Sequence, residues 1–326
     1  MSTFVSPIGS GFGDVLISLP VVQALLDQGE TVYLVTRSFR QEGISPRIIG
    51  LQGEIREDDL QIAEGDRYIN LRAHPIQTDY LWGTEEFERI FGVTRIEKII
   101  TLIARDFDLV VSYQNLRPLS FTLRPELAGR VAFVPGTDGH FKHWPQPYWL
   151  ELRDKLALAG LGVTVLGRPE ESPAVQGLID SGLTWLATAS AGEAIDAVSS
   201  ALAVVAVDTG LMHVAVQQNI PTFSFVHPDM FHHRSAANSC QFIGVHCPTE
   251  CGRDTEIKPG ITAATALDVD LKFQSHKCPL AFAGDCPPQA PVNGPFNCMS
   301  EIRPDAVLDQ MRRFGVLNGK ASAKQV

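Results

Sequence analysis

Residues 4–28 read FVSPIGSGFGDVLISLPVVQALLDQ, and this stretch decides the fold class of the chain. The apolar run Phe4–Ile8 predicts a buried strand, and Asp14–Gln28 has helical periodicity, with Gly29 placed to end the helix. The glycine-rich turn Gly9–Gly13 joins the two. A strand, a glycine turn and a helix in this order are typical of the first unit of a ligand-binding α/β domain.

Strands and helices continue to alternate along the chain in two series. The first contains predicted buried strands at Phe4–Ile8, Val32–Thr36, Tyr68–Leu71 and Leu109–Tyr113, and helices at Asp14–Gln28 and Thr94–Phe107. The second contains predicted strands at Val163–Leu166, Trp185–Ala187, Ala201–Val207 and Thr222–Val226, and helices at Tyr148–Ala159, Ala191–Ser200 and Leu211–Gln218. Two such series predict two doubly wound α/β domains that face each other across a cleft.

Proline and glycine mark the predicted domain boundary. They are concentrated in the segment Arg124–Gly136, so we expect a first domain over residues 1–130 and a second over residues 131–303. The second domain includes a cysteine-rich loop segment, residues 240–299, which is dense in proline and glycine. Residues 304–326 are expected to form a C-terminal helix and a tail.

Composition and charge exclude several classes of protein. The chain has 326 residues, of which 44% are hydrophobic and 20% charged, which is typical of a globular protein of about two domains. The net charge of −10 argues against nucleic acid as a partner. Because no apolar run reaches the roughly 20 residues that span a bilayer and no secretory signal is visible, the expectation is a soluble cytoplasmic protein, at most peripherally associated with a membrane.

The glycine turn departs from a dinucleotide fingerprint. That fingerprint needs a third glycine where this chain has Asp14, and an acidic residue after the second strand, where the chain has Thr36-Arg37. An oxidoreductase that uses NADP is therefore a distant alternative. Asp14 has two interpretations, a stabiliser of the helix dipole or a general base on a loop where Gly11 and Gly13 let the backbone approach a ligand.

The second series carries a further group of candidate residues. Asp208, Thr209 and Gly210 follow the strand Ala201–Val207, so the first amides of the next helix are placed to bind a diphosphate. His213 either points at that ligand or packs against the fold. Lys142, near the first helix of the second series, is either a phosphate ligand or a solvated surface charge.

Taken together, these motifs resemble glycosyltransferase family 9, the ADP-heptose:lipopolysaccharide heptosyltransferases and their relatives. The similar segments are Gly13-Asp14-Val15-Leu16 with Leu19-Pro20, Lys142-His143-Trp144-Pro145, Gly167 with Glu171, Asp208-Thr209-Gly210-Leu211 with His213 and Ala215, and Cys298-Met299 with Ile302-Arg303-Pro304. The resemblance implies a GT-B fold, two Rossmann-like domains with the active site between them. It also implies that the N-terminal domain binds the acceptor and the C-terminal domain the nucleotide sugar.

The resemblance assigns a role to each matching residue. Asp14 is implied to be the base that removes a proton from the acceptor hydroxyl in a transfer that inverts the anomeric configuration. Lys142 and the amides of Thr209 and Gly210 are implied to stabilise the departing diphosphate without a metal. Glu171 would lie near the nucleoside or the sugar, and Asp208 and His213 would shape the donor pocket.

The part of the N-terminal domain that is expected to bind the acceptor does not match the lipopolysaccharide enzymes, so the sequence does not identify the acceptor. Arg37, Arg40 and Arg117 are candidate ligands of an anionic acceptor, with Arg47 as a further candidate, because arginine binds such groups with two parallel hydrogen bonds. The expected function is transfer of heptose from ADP-heptose to a saccharide, lipid-linked or protein acceptor, in lipopolysaccharide or cell-surface glycan synthesis. The alternatives are a nucleotide-sugar-binding protein without activity and a heptosyltransferase that modifies protein.

All six cysteines lie between Cys240 and Cys298. In a cytoplasmic protein they are expected to be either free thiols or the ligands of a structural zinc or iron ion. The preferred ligand set is Cys247, Cys251, Cys278 and Cys298, and relatives that modify proteins carry such a cluster. Such a metal would hold an irregular loop, and catalysis is expected to require no cofactor.

Overall fold

The computed structural model describes residues 1–80, 89–91, 96–113, 116–137, 142–225, 240–244, 264–265 and 298–318. Within these residues the chain forms two separate β-sheets with helices packed on them. No helix in this part of the chain is long and apolar enough to cross a membrane.

The N-terminal sheet has four parallel strands in the order β3-β2-β1-β4. The strands are β1 (Ser2–Ser6), β2 (Thr31–Thr36), β3 (Gly53–Arg56) and β4 (Arg67–Asn70), and the helices described with them are α1 (Phe12–Asp27), α2 (Pro75–Thr78) and α3 (Ile96–Arg105). The chain leaves β1 on one side to form β2 and later returns on the other side to form β4. The carboxyl end of β1 is therefore a topological switch point, where open α/β sheets bind their ligands.

The C-terminal sheet has seven strands in the order β11-β10-β9-β8-β5-β6-β7, parallel except for the β10–β11 pair. The strands are β5 (Arg130–Val134), β6 (Gly162–Leu166), β7 (Trp185–Leu186), β8 (Ala203–Val207), β9 (Thr222–Phe225), β10 (Cys240–Gly244) and β11 (Ala264–Thr265). The helices are α4 (Gln146–Leu158), α5 (Pro173–Asp180), α6 (Ala191–Ser199), α7 (Gly210–Gln217) and α8 (Pro304–Arg313). Its switch point lies between β5 and β8, which are adjacent although β6 follows β5 along the chain.

Two predicted features of the boundary region are wrong. Leu109–Tyr113 is not a strand, and the hydroxyl of Tyr113 instead donates to the carbonyl of Ile17 in α1, at 2.8 Å. The segment Arg124–Gly136, in which the domain boundary is predicted, contains the buried central strand β5, which was not among the predicted strands. Its prolines and glycines flank the run Val131–Val134 without interrupting it, so a strand forms between them.

The hydrophobic core is continuous from one domain to the other. Helix α1 packs against α7 of the C-terminal domain, and the buried side chains of both helices belong to one cluster that reaches both sheets. A second cluster fills the other face of the C-terminal sheet and takes in Val307 and Met311 of α8. The ammonium of Lys155 in α4 also pairs with Asp305 of α8 at 2.8 Å, and this hydrogen bond raises the pKa of Lys155. Helix α8 is therefore an integral part of the C-terminal domain.

The chain crosses between the domains through residues 116–124, which hydrogen-bond to both. The N–H of Arg117 donates to Gln23 of α1 at 2.8 Å, and the N–H of Leu119 donates to Gln218, which follows α7, at 2.7 Å. Beside this segment, Arg47 of the N-terminal domain forms an ion pair with Asp196 of α6 at 2.8 Å. Apolar packing, backbone hydrogen bonds and this ion pair together fix how the domains face each other.

Candidate active site

The glycine turn after β1 holds the carboxylate of Asp14 in a defined position. The N–H of Gly11 donates to Asp14 Oδ2 at 2.8 Å, and a β-carbon built on Gly9 would lie only 2.3 Å from the same oxygen. Glycine at position 9 therefore leaves the space that the carboxylate occupies. Gly11 is the N-cap of helix α1 and Asp14 is its third residue, so this hydrogen bond is part of a capping box that places the carboxylate at the switch point of the N-terminal sheet.

Two buried polar residues that sequence reasoning missed tie this turn to the domain. Ser18 accepts a hydrogen bond from the N–H of Ile8 at 3.1 Å and donates one to the carbonyl of Asp14 at 2.7 Å. Gln41, in the loop after β2, donates to the carbonyl of Gly9 at 2.9 Å. Neither residue has a motif of its own, and the partners of Gln41 come close to it only once β1 and β2 are paired.

The loop after β2 brings Arg37 and Arg40, two of the predicted acceptor ligands, to the same edge of the sheet. Ser38 in this loop donates to the carbonyl of Ser10 at 2.6 Å, which places Arg37 and Arg40 beside the glycine turn. Arg37 is ion-paired with Glu57, and the exposed guanidinium of Arg40 lies 5.7 Å from the ring centre of Phe39.

The prediction that Arg117 and Arg47 bind the acceptor does not fit their positions. Arg117 pairs with Asp27 at the far end of α1, about 20 Å from Asp14 at about 1.5 Å per helical residue. Arg47 pairs with Asp196, whose side chain is only 7% exposed, so its guanidinium neutralises a buried carboxylate between the domains. Both arginines are thus engaged in ion pairs away from the Asp14 turn, the Arg117 pair being about half exposed.

On the C-terminal domain, Lys142 and Asp208 form an ion pair at the switch point between β5 and β8. Lys142 Nζ donates to Asp208 Oδ2 at 2.8 Å, and the exposed fractions of the two side chains are 20% and 3%. The carbonyl of Asp208 also accepts from the hydroxyl of Thr137 at 3.3 Å. A carboxylate this deeply buried needs a compensating charge, so Lys142 stabilises the fold at the same place where the sequence predicts a phosphate ligand.

The N-terminus of α7 faces the N-terminus of α1 across the domain boundary. Thr209 is the N-cap of α7, and a β-carbon built on Gly210 would lie 2.8 Å from Phe12 Cδ1 and 3.2 Å from the backbone nitrogen of Gly13. A β-carbon built on Gly13 would lie 2.7 Å from Cδ2 of His213. The imidazole of His213 therefore reaches across to the turn that carries Asp14, and the positive ends of two helix dipoles meet at this point.

Glu171 lies at the carboxyl edge of the C-terminal sheet, in the turn after β6. Its carboxylate pairs with Arg168 at 2.7 Å and is about half exposed. Gly167, which begins this turn, has φ of +125° and could take no side chain without strain. The turn places Glu171 on the edge of the sheet that carries Asp208, but the two residues follow different strands.

The predicted metal ligands fall outside the part of the chain whose side chains are described. Cys247, Cys251 and Cys278 lie outside the described residues, and of Cys298 only the backbone is described. Among the side chains that are described, no group of three or more histidine, cysteine and carboxylate residues is arranged to hold a metal ion.

Comparison with solved structures identifies the fold. ADP-heptose lipopolysaccharide heptosyltransferase II of Escherichia coli is 16% identical, with a TM-score of 0.58 over 99% of this chain and all of that one. The iron-containing heptosyltransferase TibC of enterotoxigenic E. coli, solved with ADP-D-β-D-heptose, is 14% identical, with a TM-score of 0.61 over 96% of this chain and 76% of that one. At this identity the likeness shows the fold alone, and the fold is GT-B, two Rossmann-like domains facing across a cleft.

Sequence comparison shows similarity to one family over part of the chain. The model of glycosyltransferase family 9 (heptosyltransferase) matches residues 118–254. Lipopolysaccharide heptosyltransferase 1 of Pseudomonas aeruginosa is 33% identical over 101 residues, which cover 30% of this chain and 28% of that protein. Lipooligosaccharide heptosyltransferase 2 of Haemophilus influenzae is 29% identical over 151 residues, which cover 40% and 44%. The matches span less than half of either relative, and the chain is similar to heptosyltransferases of glycosyltransferase family 9 over these segments.

Proposed function

We propose that this protein transfers heptose from ADP-heptose to a hydroxyl group of an acceptor in the synthesis of lipopolysaccharide or another cell-surface glycan. The observation that carries the proposal is the juxtaposition of the Asp14 turn with the Thr209–Gly210 turn at the carboxyl edges of two facing sheets. The names of the relatives support heptose as the sugar, and the ADP-heptose bound to TibC supports the donor.

The donor side of the cleft is suited to a diphosphate. The first amides of α7 carry the positive end of the helix dipole, and Lys142 adds a full charge beside them. An ammonium has three N–H donors, so Lys142 can bind a phosphate oxygen while it keeps its hydrogen bond to Asp208. This arrangement would stabilise the negative charge that develops on the leaving diphosphate, and the proposed chemistry uses no metal.

Asp14 supplies a carboxylate on the opposite wall. In the proposed reaction it accepts the proton of the acceptor hydroxyl while that oxygen forms a bond to the anomeric carbon. The bond from the anomeric carbon to the phosphate oxygen breaks, and its electron pair leaves with ADP. Because attack comes from the face opposite the diphosphate, the configuration of the anomeric carbon inverts.

Mass spectrometry of reaction products tests this function. Purified protein is incubated with ADP-heptose and, separately, a lipid-linked saccharide, a peptide and buffer alone, with the Asp14→Asn variant as the control. One acceptor is expected to gain the mass of one heptose in an amount equal to the ADP released. Binding of ADP-heptose without any transfer would instead show a nucleotide-sugar-binding protein without activity, and a labelled peptide would show a protein acceptor.

We also propose that the cysteine-rich segment binds a structural metal ion. Cys247, Cys251, Cys278 and Cys298 would provide four thiolates, a ligand set that suits zinc or iron, and TibC, which has the same fold, is iron-containing. The metal would hold the loop together, and no step of the proposed transfer passes through it. Elemental analysis is expected to find about one metal ion per chain, whereas a content near zero would show that these thiols are free.

A further inference from the structure

Gln41 lies in the loop after β2, but its side chain hydrogen-bonds to the glycine turn after β1. Its side chain is fully buried, with 0% exposed. The amide nitrogen donates to the carbonyl of Gly9 at 2.9 Å and to that of Gly11 at 3.4 Å, and the amide oxygen accepts from the N–H of Arg37 at 2.8 Å. One side chain thus joins the loop after β2 to both ends of the segment Gly9–Gly11.

Gly11 is the link between Gln41 and Asp14. Its N–H donates to Asp14 Oδ2, and its carbonyl accepts from Gln41 and from the N–H of Asp14 at 3.2 Å. Glycine has more backbone freedom than any other residue, so a turn that contains three glycines does not keep one conformation by itself. The hydrogen bonds from Gln41 restrain the peptide groups of Gly9 and Gly11, while Ser38 holds the carbonyl of Ser10 between them.

We propose that Gln41 is a positioning residue for Asp14, which it affects by fixing the peptide groups of Gly9 and Gly11. The assignment rests on the proposed function, in which Asp14 is the base. Removal of Gln41 would let the turn move and displace the carboxylate from the acceptor hydroxyl, and a displacement of about 1 Å can lower a rate by about 100-fold. Donor binding would be preserved, because the diphosphate site lies on the other domain.

Gln41→Met tests the proposal, because methionine keeps the length of the side chain and removes both of its hydrogen-bonding groups. The expected result is a 10- to 100-fold lower kcat, with the KM for ADP-heptose and the Kd for ADP within about twofold of wild type. Hydrogen exchange is expected to rise in the peptide that covers residues 8–14. A role confined to general stability would not separate kcat from KM in this way.

Gln218→Met is the matched control. Gln218 is also buried, 7% exposed, and also uses its amide for one accepted and two donated hydrogen bonds, from the N–H of Leu119 at 2.7 Å, to the carbonyl of Leu119 at 2.9 Å and to the hydroxyl of Ser199 at 2.8 Å. Both variants should lose comparable stability. Gln218→Met should increase exchange in residues 116–124 and leave residues 8–14 and kcat close to wild type.

Two results would overturn the proposal: unchanged exchange over residues 8–14 in Gln41→Met, or increased exchange there with an unchanged kcat.

Failure of the proposed function would be recognised by other results. If Asp14→Asn retains full turnover, Asp14 is not the base, and Gln41 then holds a turn that the reaction does not need. If wild type transfers nothing, release of ADP from ADP-heptose in buffer replaces the transfer assay, and an equal release rate in wild type and Gln41→Met counts against the proposal.

Discussion

Asp14 has two separable roles, a cap on helix α1 and a proposed base. Asparagine can still accept the hydrogen bond from Gly11 but lacks the negative charge that interacts with the helix dipole, so Asp14→Asn should lower the free energy of unfolding by only about 0.3–1 kcal/mol. Turnover should fall by about 10²- to 10⁴-fold, because the amide cannot accept the proton. Denaturant unfolding and product formation measure the two effects, and full turnover in this variant would remove Asp14 from the mechanism.

Lys142 likewise combines a structural and a proposed binding role, because it pairs with the buried Asp208. Lys142→Met leaves that carboxylate without its countercharge and should destabilise the protein by about 3 kcal/mol. The double variant Lys142→Met/Asp208→Asn carries no buried charge at this place and should recover most of the loss. If Lys142 binds the diphosphate, both the single and the double variant should bind ADP more weakly than wild type in calorimetry.

Recovery of ADP affinity together with stability in the double variant would contradict this role for Lys142. It would mean that the single variant lost ADP binding through local unfolding. The pair of variants therefore separates the two effects that a single Lys142→Ala substitution would mix.

At the scale of elements, the two helix N-termini approach as closely as glycine allows. Gly13→Ala would place a β-carbon 2.7 Å from Cδ2 of His213, so either the imidazole or the two helices would have to shift. The expected cost is about 1–3 kcal/mol of overpacking, with weaker transfer activity. His213→Ala removes the clashing ring, so the double variant should recover at least half of the lost stability in thermal unfolding. Equal stability of Gly13→Ala and wild type would show that the helices do not meet there.

The sequence predicted elements well where hydrophobic patterns are local. The helix predicted at Ala191–Ser200 is observed at Ala191–Ser199, and the strand predicted at Val163–Leu166 is observed at Gly162–Leu166. Strand β5 was missed because prolines and glycines on either side of it resembled a linker. Leu109–Tyr113 was predicted as a strand because its apolar residues fit that pattern, yet it pairs with no strand: Leu109, Val111 and Tyr113 join the core that contains α1, and Val110 is exposed.

The candidate site was predictable only in its motifs. The glycine turn and Asp208-Thr209-Gly210 have local signatures, because backbone amides at helix starts need small residues beside them. Gln41 has no such signature, since its partners Gly9 and Gly11 are about 30 residues away and depend on the pairing of β1 with β2. The pairing of Lys142 with Asp208 and of Arg47 with Asp196 likewise depends on tertiary structure.

For the whole molecule, the contact between the domains is expected to contribute to stability. Arg47→Met leaves the buried carboxylate of Asp196 with the N–H of Thr122 at 2.8 Å but without its ion pair. The expected loss is about 2–4 kcal/mol, somewhat below that for a fully buried pair because Arg47 is 23% exposed. Arg56→Met is the control, since Arg56 pairs with Glu42 at 3.6 Å on the surface and should cost less than about 0.5 kcal/mol. Similar losses in the two variants would show that Arg47 is not part of a fixed domain contact.

A crystal structure of the protein with bound ADP tests the central claim most directly. The account predicts that the diphosphate lies at the first turn of α7, about 3 Å from the amides of Thr209 and Gly210 and from Lys142 Nζ. It also predicts that the carboxylate of Asp14 faces that diphosphate from the opposite domain. ADP bound away from α7, or an Asp14 turn on an outer surface far from Gly210, would contradict it.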